Sequence, residues 1–178
     1  MSLTQDAGFK VIDDGIKVDI TTAIENKRWR AAIVLIYSAM DTMAFLDLPP
    51  GKVDVHGRDF IRWAGKYIRF PCKEQLTGED LYGARCAMLH TNRVISKLSR
   101  EGKCRMVGYT NLMIPEVRYN PAVSTTFVMV STVGLKDALF NGINQYLIHV
   151  YSDKAKATLV NGRIQEMVQL FDKTSDPE

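Results

Sequence analysis

The sequence predicts a mainly α protein: one helical domain over residues 1–178, with a short antiparallel β-strand pair inserted before the C-terminal helices. Three observations carry this reading. Apolar residues recur every three to four positions through most of the chain, which is the period of a helix. One stretch, Ala31 to Leu46, is apolar nearly all round and reads as a buried central helix. Only two segments, 103–109 (KCRMVGY) and 125–132 (TTFVMVST), have the β-branched and aromatic content of strands. A chain of 178 residues is long enough to bury a substantial core within one domain.

Each element has its own local signal. Phe9, Ile12, Ile16, Ile20 and Ile24 share one face of a helix expected over 7–25, with Asp13, Asp14, Lys17 and Asp19 opposite. The apolar run from 27 to 46 forms the second helix, and Pro49, Pro50 and Gly51 end it. Residues 57–70 form a third, with Phe60, Ile61, Ala64 and Ile68 inward and Pro71 as its stop. Thr77 with Asp80 three residues later resembles a capping box and opens a fourth helix, which Gly102 closes. After the strand pair, Leu135, Leu139, Ile143, Leu147 and Tyr151 mark another helix. A last one covers 155–172, with Leu159, Ile164, Met167, Val168 and Phe171 inward and a fraying KTSDPE tail.

Composition removes several function classes. The three cysteines, Cys72, Cys86 and Cys104, form no CxxC pair, so neither a disulfide framework nor a zinc site is expected. His56, His90 and His149 are scattered and add nothing to a metal reading. No cofactor is expected. The amino terminus lacks a basic start followed by an apolar run, and Tyr37, Ser38, Asp41 and Thr42 interrupt the longest apolar stretch. These features predict neither a secretory signal nor a membrane partner, and a cytoplasmic location. A formal charge of +3 permits nucleic-acid binding without arguing for it.

One surface suggests chemistry. In the stretch 77–100, Leu81, Ala84, Ala87, Met88, Val94, Ile95 and Leu98 gather on one side of a helix. Tyr82, Arg85, Cys86, His90, Arg93, Lys97 and Arg100 gather on the other. At about 100° per residue Arg85 and His90 stand about 140° apart and bracket a polar face. A guanidinium can hold a phosphate oxygen through paired donors. An imidazole can take or give a proton near neutrality. Asp41 interrupts the apolar second helix, where an unpaired carboxylate would be costly. Arg85 or His90 would serve as its partner, and a salt bridge unrelated to function would satisfy it equally. On the third helix Arg58, Arg62, Lys66 and Arg69 recur at spacings of four, four and three. That stripe is either an RNA-tracking surface or an ordinary solvated face.

A buried second helix, a basic third helix and then a helix carrying LYGARCAMLH together resemble the HEPN superfamily, over roughly residues 7–100. The resemblance implies a helical, commonly dimeric protein with an Arg-x4-6-His motif on a core helix, here Arg85 and His90. Many such proteins are metal-independent endoribonucleases of toxin–antitoxin and anti-phage systems; others are non-catalytic. Carried over, Arg85 and His90 would be catalytic, Asp41 and Cys86 supporting, and Tyr82 and Arg93 further contacts. Arg58, Arg62, Lys66 and Arg69 would bind nucleic acid. RNA would be the substrate, and an antitoxin or other protein a partner, with each site shared across a homodimer. Where the family usually has a polar residue after the motif arginine, this chain has Cys86, whose thiol replaces an amide poorly. Two other readings stay open: a non-catalytic HEPN-like module for dimerisation and RNA or protein binding, and a helical protein with no nucleic-acid role.

Overall fold

Ile33, Ile36, Tyr37, Met40 and Met43 are buried along one helix, and the other helices are arranged around it. The structure, a computed structural model, describes residues 10–167. The expected starting turn at 7–9, the inward positions Val168 and Phe171, and the tail all lie outside the described residues. The described residues begin with a π-helical segment, Lys10–Lys17, that runs into α1 (Val18–Glu25). Lys27 then adopts a left-handed conformation, φ 56°, which separates α1 from α2 (Trp29–Leu46). α2 packs against α1 and against α3 (Gly57–Tyr67), α4 (Gly78–Thr91), α6 (Thr132–Tyr151) and α7 (Lys154–Gln165). By length and composition alone α2 could cross a membrane, but half of it is buried inside the protein as the central core helix.

The fourth helix is shorter than its periodicity suggests. The capping box is present at its start: the Asp80 N–H donates to Thr77 Oγ1 at 3.1 Å, and the Thr77 N–H donates to Asp80 Oδ2 at 2.9 Å. At its end Asn92 turns left-handed, φ 51°, and the Arg93 N–H reaches back to the Ala87 carbonyl. The Asn92 N–H also donates to the Met88 carbonyl, the closure of an αL cap, available because asparagine tolerates the left-handed region. Beyond it Val94 and Ile95 are exposed instead of facing the core. Ser96 then caps a separate four-residue helix, α5 (Lys97–Arg100).

The strand expectation needs correction. β1 (Met106–Thr110) and β3 (Phe127–Ser131) are neighbours, but they run parallel. A two-residue strand, β2 (Val117–Arg118), pairs antiparallel with the far side of β3, giving the order β1-β3-β2. The connection 111–126 is long enough for the crossover that parallel neighbours require, and β2 lies within it. Two links fix this small sheet on the helices. The Tyr37 and Tyr109 hydroxyls meet at 2.8 Å. Arg105, just before β1, gives its backbone N–H and its guanidinium to the buried Asp80 carboxylate. The result is a mostly helical protein with one three-stranded sheet.

Candidate functional site

The face of α4 that carries Arg85 looks across to α2. Its inward residues, Leu81, Ala84, Ala87 and Met88, are buried, and this sets the rotation of the helix. Asp41 stands on the flank of α2, one helical step from the buried Met40 and two from Met43. The Arg85 guanidinium meets its carboxylate through Nε and Nη2, each 2.8 Å from Oδ2. The remaining nitrogen, Nη1, lies 3.3 Å from His90 Nε2. A guanidinium has only donors, so His90 Nε2 is the acceptor in this contact and bears no proton there. Arg85 and Asp41 are each about three-quarters covered, while His90 is exposed.

The electrostatics follow from that geometry. Burial raises the Asp41 carboxyl pKa, opposed by the hydrogen bond and charge of Arg85 and by His90. Burial alone would lower the Arg85 guanidinium; Asp41 and Cys86 reverse this and raise it. Burial also raises the Tyr82 phenol, with Cys86 pushing the same way and Arg85 opposing. Cys86 thus lies beside both Tyr82 and Arg85, as a neighbour and not as a member of the Asp41–Arg85–His90 chain.

Beside this chain is an open pocket of about 260 Å³ lined by Asp41, Val55, His56, Gly57, Phe60, Tyr82 and Arg85. Its far wall is the start of α3. The Tyr82 ring is packed so closely on Gly57 that a Cβ at that position would lie 2.5 Å from Tyr82 Cζ. The same ring leans on Phe60 with centroids 5.6 Å apart.

No family model, curated protein or solved structure matches this chain. The chemistry of the site therefore rests on its own side chains. The structure brings Asp41, Tyr82, Arg85, Cys86 and His90 into one neighbourhood. Arg93 is carried away by the left-handed turn at Asn92, and among the described residues no hydrogen bond or ion pair joins it to Asp41, Arg85 or His90. Among the described residues no cluster of three or more His, Cys, Asp or Glu side chains is placed to hold a metal ion.

The basic stripe divides. Arg58, Arg62 and Lys66 are exposed on α3, and Arg69 lies beyond its end. Arg62 is neutralised by Asp59 and Asp47. Lys66 sits over the Tyr67 ring at 4.8 Å, and Arg69 donates to the Ile68 carbonyl. Trp63, the residue between, is fully buried and unavailable for stacking on a base.

Sequence reasoning missed His56 as a pocket residue. Its only local signal is its position just before the glycine that begins α3. It also missed the Asp80–Arg105 pair, because the two residues are 25 positions apart and meet only when β1 folds back on α4.

Proposed function

We propose that this chain is a HEPN-like endoribonuclease that cleaves RNA through the 2′-hydroxyl without a metal, acting as a homodimer in the cytoplasm in a toxin or defence role. The observation that carries the reading is the Asp41–Arg85–His90 chain at the edge of an open pocket. It joins a carboxylate, a phosphate-binding cation and a proton-transfer group within hydrogen-bonding distance.

The chemistry follows from the contacts. Asp41 holds Nε and Nη2 of Arg85, so the guanidinium is oriented and Nη1 is the nitrogen left for a substrate. A scissile phosphate would take that donor from His90 Nε2. Arg85 then stabilises the charge that develops on the phosphorane oxygens, and His90 Nε2 becomes available as a base for the 2′-hydroxyl. Cleavage would leave a 2′,3′-cyclic phosphate and a free 5′-hydroxyl.

The alternative, a non-catalytic HEPN-like module that dimerises and binds RNA or a protein such as an antitoxin, has one observation in its favour. Arg85 is already engaged on both sides, and Cys86 supplies no amide to help position a phosphate. Incubation of wild type, His90→Ala and Arg85→Ala with structured RNA separates the two. The nuclease reading expects cyclic-phosphate products from wild type alone. Cleavage unaffected by either substitution would remove the site from the reaction, and salt-sensitive binding without cleavage would support the module.

A further inference from the structure

Transesterification of RNA moves two protons. One leaves the attacking 2′-oxygen and one reaches the departing 5′-oxygen. The Asp41–Arg85–His90 chain holds one imidazole, whose Nε2 faces a guanidinium donor and so suits the first transfer. A second histidine, His56, is among the residues that line the pocket beside Arg85.

His56 is exposed, but its backbone is firmly placed. It is the N-cap of α3, in extended conformation (φ −109°, ψ 161°), and its side chain makes no capping hydrogen bond to the helix. Its N–H donates to Asp59 Oδ2 at 2.9 Å, and its carbonyl accepts the Asp59 N–H at 2.8 Å. Asp59 is only 2% exposed and is fixed in turn by Lys52 and Arg62. On the other side Tyr82 presses against the adjacent Gly57, tying this corner to α4, the helix that carries Arg85. The charged and titratable groups around His56 are Asp41 from α2, Arg85 and Tyr82 from α4, Asp59 of its own helix, and Lys52 and Arg62 on Asp59.

We propose that His56 is the second proton-transfer residue of this site, the acid that protonates the departing 5′-oxygen. This inference rests on the nuclease reading above. His90 Nε2 takes the 2′-hydroxyl proton as the 2′-oxygen bonds to phosphorus. The bond from phosphorus to the 5′-oxygen breaks, and its electron pair takes the proton of the His56 imidazolium. The exchange leaves His90 protonated and His56 neutral, and solvent resets both. Arg85, the residue common to the His90 contact and the pocket, holds the phosphate between them. One chain then supplies both imidazoles, and a dimer partner need contribute neither.

The test uses wild type, His90→Ala and His56→Asn on two substrates: an RNA oligonucleotide, and a uridine 3′-phosphodiester with a 4-nitrophenyl leaving group that needs no proton. Asparagine is itself a good N-cap, so the melting temperature of His56→Asn should match wild type; His56→Gln serves as a second variant if it does not. We expect His56→Asn to lose about 10²–10⁴-fold on RNA, to lose the alkaline limb of the pH–rate profile, and to keep near-wild-type turnover of the aryl ester. His90→Ala should fail on both. RNA cleavage by His56→Asn at the wild-type rate, or equal losses on the two substrates, overturns the role of His56 while leaving the nuclease reading intact. Wild type inert on both substrates overturns both together.

Discussion

The Arg85 guanidinium spends two of its nitrogens on Asp41, each at 2.8 Å, and still brings its third to 3.3 Å from His90. The carboxylate on α2 therefore sets where the imidazole's partner sits on α4. Asp41→Asn keeps the shape and one oxygen that can accept both contacts but removes the charge, and Asp41→Ala removes both. Because the pair is partly solvated, we expect a stability loss of no more than about 1 kcal/mol. RNA cleavage or binding should fall by at least tenfold. Urea denaturation and an RNA assay on the same variants check this, and a large stability loss with unchanged RNA handling would make the pair a purely structural strut.

The buried Asp80 makes the opposite prediction. Burial would raise its carboxyl pKa, but the Arg105 side chain and the backbone N–H groups of Thr77 and Arg105 outweigh that and hold it below the usual range. A depressed carboxyl contributes stability above its unfolded pKa of about 3.9, and that stability is lost as pH falls through the folded value. Asp80→Asn should cost about 3–5 kcal/mol at pH 7, since it leaves Arg105 without its charge partner. The gap from wild type should close as the pH is lowered below 4. Denaturant midpoints from pH 7 to pH 3 test this, and a gap independent of pH would mean that packing, not charge, is responsible.

Gly57 and Tyr82 should behave as one unit. Alanine at 57 would place its Cβ 2.5 Å from Tyr82 Cζ, so either the ring or the start of α3 must shift. We expect Gly57→Ala to cost about 1–3 kcal/mol. In a Tyr82→Ala background the same change should cost much less, a coupling that a double-mutant cycle measures directly. Additive costs would show that the clash is relieved elsewhere.

These residues mark where sequence reasoning succeeds and where it stops. The centrality of α2, the Thr77–Asp80 box and a partner for Asp41 were all legible, because each follows from local pattern or from the cost of a buried charge. The break at Asn92 was not, since the apolar spacing continues through Val94 and Ile95 and only the left-handed turn ends the helix. Strand direction was not legible either. β-Branched and aromatic content in 125–132 marks a strand but says nothing of its neighbour's direction, and β2 is too short to register. His56 was invisible for a similar reason: a loop residue's facing is decided by how the following helix docks, here through Asp59 and Tyr82.

The stripe on α3 yields the last prediction, because its members differ in what already neutralises them. Arg62 is paired with both Asp59 and Asp47, whereas no ion pair is formed by Arg58 or Lys66 among the described residues. A phosphate contact on single-stranded RNA contributes about −0.7 to the slope of log K against log salt. If the stripe tracks RNA from the Arg85 pocket along α3, Arg58→Ala and Lys66→Ala should each make the slope shallower by roughly that amount. Arg62→Ala should leave the slope almost unchanged, and weaken folding instead by stripping a partner from the buried Asp59. Fluorescence anisotropy with a labelled RNA over a range of salt concentrations measures all three. Identical slopes for all of them would assign the stripe to solvation alone, and confine nucleic-acid contact to the Arg85 pocket.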